Sequence, residues 1–386
     1  MKKSRLLQFY MWGFLMVALV SLVWAELLVR ATIPHRDLYE MTGRKPTLVG
    51  NEWAATDAFA AFKGRPGFAY MEEELTKTIN RHGFISTPDL TLKKPAGTVR
   101  VVFLGGSSTA GTGINLSDSE TWPWRVAETL KKNFPDIRIE FINAAVGGYT
   151  SFESYGRLWS RIRFFEPDIL VLNHGWNEMS YFQNGKPDEI LQWRETEDGE
   201  WRFNRPRLRR LFEPLPIDPL IRHSQALTYV RLMLTRSSEQ GEMTENDPSG
   251  PLAENFDPRG PAIFRDNLKL IKSAAGVMGA KLFVIKQPTL IVPDLPASLR
   301  KECGYHHHGF DHEAHVRAYN EIYREIDEEI VAADIIDLRD LSGQKELFYD
   351  HVHPTHPLGV NAFTERIAPV LSAWIAKQKL PALKYE

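Results

Sequence analysis

From about residue 98 onwards, short apolar runs alternate with amphipathic segments. Residues 101–104 form an apolar, β-branched-rich run that ends at two glycines, and similar runs occupy residues 137–142, 168–173 and 281–285. Such runs, followed by glycine or proline, are typical of parallel strands that are buried on both faces. A shorter strand is predicted at residues 334–338.

Helix-like segments separate these runs, at residues 122–133, 152–165, 264–278, 312–332 and 358–377. Strands that alternate with helices indicate a parallel sheet covered by helices on both faces. The pattern therefore predicts an α/β fold, in which ligands bind beyond the carboxyl ends of the strands.

The amino terminus has a different pattern. Lys2, Lys3 and Arg5 precede an almost uninterrupted apolar run from residue 9 to residue 25, and residues 27–29 extend it. A bilayer core of about 30 Å requires roughly 20 helical residues, which this run supplies. Basic residues before the run favour a cytoplasmic amino terminus and a body on the other side.

A cleavable signal peptide is the alternative, because residues 23–25 offer a small-residue cleavage site. The continuation of the run favours an uncleaved, single-pass signal anchor in residues 1–30, with the body on the extracytoplasmic (periplasmic) side. Residues 31–97, rich in proline, are predicted to form a stalk and lead-in segment. Residues 98–380 would form the main domain, with an insertion at about 186–260 that breaks the α/β rhythm.

Composition narrows the classes of function. A formal net charge of −2, without long single-sign blocks, gives no electrostatic footprint for nucleic acid. The single cysteine, Cys303, excludes an intramolecular disulfide. The chain must therefore be stabilised by the packing of its core.

Four polar patches carry the candidate chemistry, and three of them directly follow a predicted strand. They are residues 105–109, 143–148, 175–178 and 350–353. Together they supply a hydroxyl, a glycine turn, a carboxamide and an Asp/His pair. These are the parts that a serine site for acyl transfer needs.

The first three patches each have another interpretation. Ser107 follows two glycines, as a nucleophile on a tight turn would, although an ordinary turn has the same residues. A phosphate-binding loop is disfavoured because the lysine and spacing of a P-loop are absent. The glycines of residues 143–148 could place an N–H near an oxyanion or simply end a strand. Asn177 could donate to an oxyanion or cap a helix.

Asp350 and His353 are three residues apart, so a turn would place both side chains on one side. An imidazole can take the proton of a nucleophile, and a carboxylate can orient the imidazole. His351 and His356 flank the pair. The spacing alone therefore leaves the choice of base open.

In this order, over residues 98–377, the four patches resemble the conserved blocks of the SGNH, or GDSL-type, hydrolase superfamily. The resemblance implies a three-layer α/β/α sandwich with a central parallel sheet, here preceded by one transmembrane helix. It implies carboxylic ester substrates, among them lipids, acyl thioesters and acetylated polysaccharides. It also implies the site residues: Ser107 as nucleophile, His353 as base, Asp350 as its partner, and an oxyanion hole of the Ser107 N–H, the Gly148 N–H and the Asn177 side chain.

One position departs from the family pattern. The residue before the serine is usually aspartate, and here it is Gly106, which leaves Ser108 as a less favoured alternative nucleophile. The resemblance implies no cofactor and no metal. A cluster of imidazoles and one carboxylate could bind zinc or a similar metal, but it lacks a clean tetrahedral spacing. Its members are His306, His307, His308, Asp311, His312 and His315. A loop that contacts substrate near the site and a solvated polar loop are the alternatives.

The sequence thus predicts a membrane-anchored serine esterase of the cell envelope that acts on an O-acetylated glycan or a lipid-like ester. Two alternatives stay open. The same site could transfer an acyl group to a sugar hydroxyl if residues 186–260 exclude water. Alternatively, the chain could be a noncatalytic glycan-binding or assembly protein that has the same fold.

Overall fold

A computed structural model gives the fold, and it describes residues 2–32, 53–57, 59–72, 75–112, 116–183, 193–195, 201–203, 224–227, 229–230 and 252–378. Contacts divide the chain into two compact units, residues 1–51 with 213–247 and residues 52–212 with 248–386. The beginning of the predicted stalk and most of the predicted insertion lie outside the described residues. The predicted domain boundaries therefore stay a prediction.

Helix α1, Lys2–Thr32, belongs to the first unit. Its segment Gln8–Thr32 is long and apolar enough to cross a bilayer, as the sequence predicted. Glu26 lies within this segment and pairs with Arg30 one turn later at 2.6 Å. The Glu26 carboxylate also accepts hydrogen bonds from residues 224–226, so it caps the helical turn that begins there.

The strands of the described residues and seven further named helices lie in the second unit. Its strands are β1 (Ala54–Asp57), β2 (Ala61–Gly64), β3 (Ala69–Glu72), β4 (Leu75–Thr78), β5 (Thr98–Gly105), β6 (Arg138–Asn143), β7 (Ile169–His174), β8 (Trp193–Glu195), β9 (Trp201–Phe203), β10 (Lys281–Lys286) and β11 (Ile335–Asp337). Its helices are α2 (Ser107–Ala110), α3 (Trp122–Asn133), α4 (Ser151–Ser160), α5 (Gly260–Met278), α6 (Ala297–Arg300), α7 (His312–Glu329) and α8 (Leu358–Ala376).

Five strands form one parallel sheet in the order β11-β10-β7-β5-β6. Every residue of β5 and β7 is buried, which explains why these strands are mostly apolar rather than alternating. Phe103 of β5 is paired with Asn143 of β6 on one side and with Val171 of β7 on the other. This register brings the carboxyl ends of the three strands to one edge of the sheet.

Helices cover both faces of the sheet. Helices α3 and α8 pack together, while α5 packs against α4 and α7. The capping box of Thr150 and Glu153 starts α4, and the Asp311 side chain accepts from the Ala314 N–H at the start of α7. The predicted three-layer α/β/α fold with a central parallel sheet is therefore confirmed.

Two short hairpins, β1–β2 and β3–β4, precede the sheet, although the sequence showed no periodicity there. Phe62 of β2 packs edge-on against Tyr149, with ring centroids 5.1 Å apart, and its carbonyl oxygen accepts a hydrogen bond from the Tyr149 hydroxyl. Phe59, between β1 and β2, lies against Gly156 of α4. The hairpins thus pack against the turn and helix that follow β6.

The contact at Gly156 predicts an unusual effect of alanine in a helix. A Cβ at Gly156 would lie 2.2 Å from the carbonyl oxygen of Phe59, whereas a Cβ at Gly276 in α5 would have nothing within 4 Å. We expect Gly156→Ala to lower the free energy of unfolding by about 1–3 kcal/mol, because backbone blocks the methyl group. The matched variant Gly276→Ala should raise it by about 0.5–1 kcal/mol. Urea unfolding of the full chain in detergent, followed by tryptophan fluorescence, measures both, and equal stability of the two variants would contradict the described packing.

Candidate active site

Three polar turns meet where β5, β6 and β7 end. β5 lies between β6 and β7, so the direction in which strands are added reverses at β5, and such a reversal leaves a crevice beyond the carboxyl ends. Thr109 of α2 joins the turns. Its carbonyl oxygen accepts from Asn143 Nδ2 at 3.1 Å, and its hydroxyl accepts from Asn173 Nδ2 at 3.0 Å.

Ser107 is the first residue of α2, which begins directly after Gly106. Its Oγ lies 2.8 Å from Nε2 of His353. The neighbouring Ser108 is buried, and its hydroxyl has no hydrogen-bond partner within the described part of the chain. The structure therefore brings Ser107, and not Ser108, to the imidazole.

Asp350 and His353 form the pair that their spacing predicted. Nδ1 of His353 lies 2.7 Å from Oδ2 of Asp350, and Oδ1 of Asp350 accepts from the N–H groups of Val352 and His353 at 2.9 and 3.0 Å. The carboxylate thus fixes both the imidazole and the turn that carries it. Ser107, His353 and Asp350 form one continuous hydrogen-bonded chain.

The surroundings of Asp350 favour its ionised form. Burial by itself would raise the pKa of this carboxyl, but the hydrogen bond and charge interaction with His353, together with the hydrogen bond from the Val352 N–H, hold the pKa well below its usual range. Asp350 is therefore a carboxylate throughout the neutral range. Such a carboxylate stabilises an imidazolium on His353.

Asn177 and Gly106 are in direct contact. Asn177 lies in the 3₁₀ helix Trp176–Tyr181, and its Nδ2 donates to the carbonyl oxygen of Tyr149 at 2.8 Å. A Cβ at Gly106 would lie 2.5 Å from Asn177 Nδ2 and 3.2 Å from that carbonyl oxygen. A β-carbon at position 106 would therefore clash with the carboxamide, so the observed packing of Asn177 requires glycine there.

The glycine turn between β6 and α4 lies beside Ser107. Tyr149 N–H donates to the carbonyl oxygen of Val146 at 3.1 Å, and Gly148 has a φ of +83°, which favours glycine. Gly148 is exposed to solvent. Gly147, which the sequence did not single out, is the closer neighbour, since a Cβ there would lie 3.9 Å from the Cβ of Ser107.

The other two candidate bases have other partners. His351 accepts from the Gly304 N–H at 3.2 Å through Nδ1, and Nδ1 of His356 lies 3.5 Å from Oε1 of Glu120. Neither imidazole is hydrogen-bonded to Ser107 within the described residues. Of the three imidazoles, His353 is the one that contacts Ser107 within the described residues.

The sequence did not predict the group of imidazoles around Trp176. The ring centroids of His351, His308 and His315 lie 3.8, 4.5 and 5.2 Å from that of the indole. Burial lowers the pKa of His351 to about 3 and of His315 to about 4, and it holds the pKa of His308 well below its usual range. These imidazoles are therefore neutral at pH 7 and pack as aromatic rings.

The histidine-rich loop does not form a metal site in the described residues. No group of three or more His, Cys, Asp or Glu side chains is arranged there to hold an ion. His312 instead contacts the Tyr305 hydroxyl at 2.7 Å and the Val292 carbonyl oxygen at 3.0 Å, and His315 contacts the carbonyl oxygen of Asp311 at 2.9 Å. Within the loop itself, His308 is buried against Trp176, whereas His306 and His307 are exposed.

Glu178, which the sequence did not single out, links two elements of the site through hydrogen bonds to Ser151. Its buried carboxylate accepts from the N–H of Ser151 at 2.6 Å and from its hydroxyl at 2.9 Å. Negative charge at this position also suits the amino terminus of α4. Glu178 thereby connects the turn after β7, which carries Asn177, with the helix that follows the glycine turn.

Comparison with known families agrees with this geometry. A family model described as the GDSL-like lipase/acylhydrolase family matches residues 103–357, a range that contains all five predicted site residues. The chain belongs to the GDSL-like lipase/acylhydrolase family. It is therefore a hydrolase that acts on esters, and the predicted membership of the SGNH, or GDSL-type, superfamily is confirmed. The hairpins β1–β4 lie outside the matched residues.

Solved structures that this chain resembles include three with low sequence identity. LAE5, an alpha/beta hydrolase enzyme from the metagenome of Lake Arreo, Spain, is 14% identical over 72% of this chain and 95% of its own, with a TM-score of 0.38. TesA is 16% identical over 70% of this chain and 97% of its own, with a TM-score of 0.37. The lipase/acylhydrolase from Enterococcus faecalis is 13% identical over 74% of this chain and 100% of its own, with a TM-score of 0.38. A comparison with curated proteins gives no match.

The buried imidazoles predict a loss of stability in acid. In the unfolded chain, each imidazole takes up a proton near pH 6.5. In the folded protein, the same imidazoles stay neutral to lower pH because burial lowers their pKa. Their stabilising contribution is therefore complete above pH 6.5 and decreases as the pH falls towards the lowered pKa values. Each such group contributes about 1.4 kcal/mol per pH unit within that window.

His308→Phe tests this prediction, because neither ring nitrogen of His308 has a hydrogen-bond partner among the described residues. We expect the variant to be at least as stable as the natural chain at pH 7.5. Between about pH 6 and pH 4.5, the free energy of unfolding should fall less steeply with decreasing pH in the variant than in the natural chain. The difference between the two slopes should be about 1.4 kcal/mol per pH unit. Urea unfolding across this range gives the slopes, and equal slopes would contradict the prediction.

Proposed function

We propose that this family member is a serine esterase in which Ser107 is the nucleophile, His353 the base and Asp350 the partner of the base. The observation that carries the proposal is the chain of short contacts, 2.8 Å from Ser107 Oγ to His353 Nε2 and 2.7 Å from His353 Nδ1 to Asp350 Oδ2. Nucleophile, base and orienting carboxylate in this order are the constellation that activates a serine hydroxyl.

The proposed reaction has two steps. In the first, Ser107 Oγ bonds to the ester carbonyl carbon while His353 Nε2 takes its proton. The bond to the alcohol oxygen then breaks, and the proton passes from His353 to the departing alcohol. In the second step, His353 takes a proton from water, the hydroxide attacks the acyl-enzyme, and the carboxylic acid leaves as Ser107 regains its proton.

The oxyanion would be bound by three donors: the N–H groups of Ser107 and Gly148 and the side chain of Asn177. Ser107 begins a helix, so its N–H has no acceptor within that helix. Asn177 Nδ2 uses one hydrogen on Tyr149, which leaves the second for an oxyanion. A donor of this kind contributes roughly 10²–10³-fold to kcat.

The proposed place of action is the cell envelope. Helix α1 has the length and composition of a membrane span, and Lys2, Lys3 and Arg5 lie before the apolar segment. These features support a single-pass anchor with the catalytic unit on the periplasmic side. An enzyme held there would meet O-acetylated glycans and lipid-like esters, and we propose these as its substrates.

Protease accessibility tests the proposed location. In a Gram-negative host, we expect the full-length chain to sediment with membranes at its uncleaved mass. Protease added to spheroplasts should digest the catalytic unit and spare a cytoplasmic control protein. Protection of the catalytic unit in intact spheroplasts would contradict the orientation, and a mass shortened at residue 25 would indicate a cleaved signal peptide.

Covalent labelling tests the proposed nucleophile. A fluorophosphonate should label the natural chain, and Ser107→Ala should abolish labelling and reduce ester hydrolysis by roughly 10⁴-fold or more. Ser108→Ala is the matched control, since it removes the adjacent hydroxyl and retains Ser107. Labelling of Ser107→Ala, or none of the folded natural chain, would contradict the proposal, and the latter would support a noncatalytic protein.

A further inference from the structure

Part of the predicted insertion contacts the amino-terminal helix. Residues 213–247 belong to the same compact unit as residues 1–51, although the chain on either side of them belongs to the second unit. Residues 224–227, 229 and 230 are described within this stretch, and they are helical from residue 225 onwards. We call them the docked segment. The chain thus leaves the second unit, contacts α1 through the docked segment and returns.

Glu26 of α1 makes this contact. Its carboxylate accepts from the Ser224 hydroxyl at 2.6 Å and from the N–H groups of Gln225 and Ala226, each at 3.0 Å. The Ser224 hydroxyl in turn accepts from the Leu227 N–H at 3.1 Å. The first N–H groups of a helix have no acceptor within that helix. A side chain of α1 therefore supplies the acceptor that the start of the docked segment lacks.

The position of Glu26 along α1 gives the depth of the contact. The apolar run begins at Phe9, and at 1.5 Å per residue Glu26 lies about 26 Å further along the helix axis. The hydrocarbon core of a bilayer is about 30 Å thick, so a helix that enters it at Phe9 leaves it close to Glu26. The residues that donate to Glu26 therefore lie at the outer boundary of the hydrocarbon core.

A carboxylate at this depth requires partners. Ionisable side chains within membrane spans are costly, and they are generally paired with other charges or with backbone groups. Arg30 provides the charge partner at 2.6 Å, and residues 224–226 provide three hydrogen-bond donors. The acidic residue that interrupts the apolar run is thus the residue that attaches the docked segment to the span.

The docked segment also exposes an apolar side chain. Ala226 is 8% exposed, whereas Val230, one turn later, is 50% exposed. One turn advances the chain by about 6 Å, which is roughly the thickness of one headgroup layer. Since Ala226 lies at the boundary of the hydrocarbon core, Val230 lies within the interface. Helices with an exposed apolar side bind in this region, with that side towards the acyl chains.

We propose that the docked segment is a second membrane contact, in which Glu26 holds the segment and Val230 meets the lipids of the outer leaflet. This inference rests on the proposed anchoring of the chain by α1. Both ends of residues 213–247 continue into the second unit. The contact therefore gives that unit a second connection to the bilayer, and it gives the predicted insertion a role in membrane association.

Bimane fluorescence tests the lipid contact in the full-length chain. Cys303→Ser removes the single natural thiol, and Val230→Cys then carries the probe, in vesicles of phosphatidylethanolamine and phosphatidylglycerol. We expect a spin label on the lipid headgroups to quench most of the fluorescence, and a spin label at the end of the acyl chains or aqueous iodide to quench less. Stronger quenching by iodide than by spin-labelled lipid would overturn the inference. Protection from all three quenchers would also overturn it, because protein would then cover Val230.

Two reference positions calibrate the quenching. Val17 is an exposed valine near the middle of the apolar run, and Val17→Cys should be quenched most by the spin label at the end of the acyl chains. Val277 is a 75% exposed valine of α5 in the second unit, and Val277→Cys should be quenched most by iodide. Cys303→Ser without an added cysteine gives the background.

Glu26→Leu tests whether the carboxylate holds the docked segment. The variant retains the apolar run and removes the acceptor, so the Val230 probe should lose its quenching by headgroup spin label and gain quenching by iodide. Ser21→Leu is the matched control, because it replaces another polar residue of the same run and should leave the quenching unchanged. If Glu26→Leu fails to insert, Glu26→Gln, which retains one acceptor oxygen, should show a smaller shift in the same direction. Unchanged quenching in the inserted Glu26 variants would overturn the role of Glu26.

The outcomes separate this inference from the proposed anchoring on which it rests. Lipid quenching of the Val17 probe without lipid quenching of the Val230 probe would leave the anchor intact and overturn only the second contact. Absence of lipid quenching at both positions would overturn both. Fluorophosphonate labelling of Ser107 depends on neither result, so it tests the serine esterase separately.

Discussion

The site depends on the way in which Thr109 joins three strand ends. Asn143 at the end of β6 and Asn173 in β7 both donate to this one residue of the helix that Ser107 begins. Because β5 and β7 are buried on both faces and cannot shift without exposing apolar surface, these hydrogen bonds fix the serine turn relative to the other two turns. The positions of the hydroxyl, the glycine turn and the carboxamide all follow from this junction.

Packing around the junction requires glycine at position 106. Gly106 has no Cβ, so the Asn177 carboxamide can lie against its backbone while it donates to Tyr149. The Tyr149 hydroxyl in turn donates a hydrogen bond to the carbonyl oxygen of Phe62, which lies in a hairpin outside the residues that match the family. The lead-in segment therefore contacts Tyr149, which in turn accepts the hydrogen bond of the Asn177 carboxamide.

On the other side of the serine, aromatic packing sets the shape of the site. The imidazoles around Trp176 are neutral because burial lowers their pKa, and three of them enclose the indole. The same turn, residues 350–353, provides both a packing residue, His351, and the proposed base, His353. The packing around Trp176 and the position of the proposed base are thus coupled, because a displacement of His351 would also displace the His353 imidazole that contacts Ser107.

The amino-acid sequence by itself determined the α/β fold and the chain order of the five sheet strands, because strand burial and helical periodicity are local properties. It also determined the family, because the four patches are short sequence motifs. The helix predicted at 122–133 is the observed Trp122–Asn133, and the four patches contain the predicted site residues. Only the tertiary structure decided which histidine contacts Ser107, which side chain lies against Gly106, and which imidazoles pack around Trp176. Those outcomes depend on contacts between residues as many as 246 positions apart, such as Ser107 and His353, and on side-chain packing that no local pattern encodes.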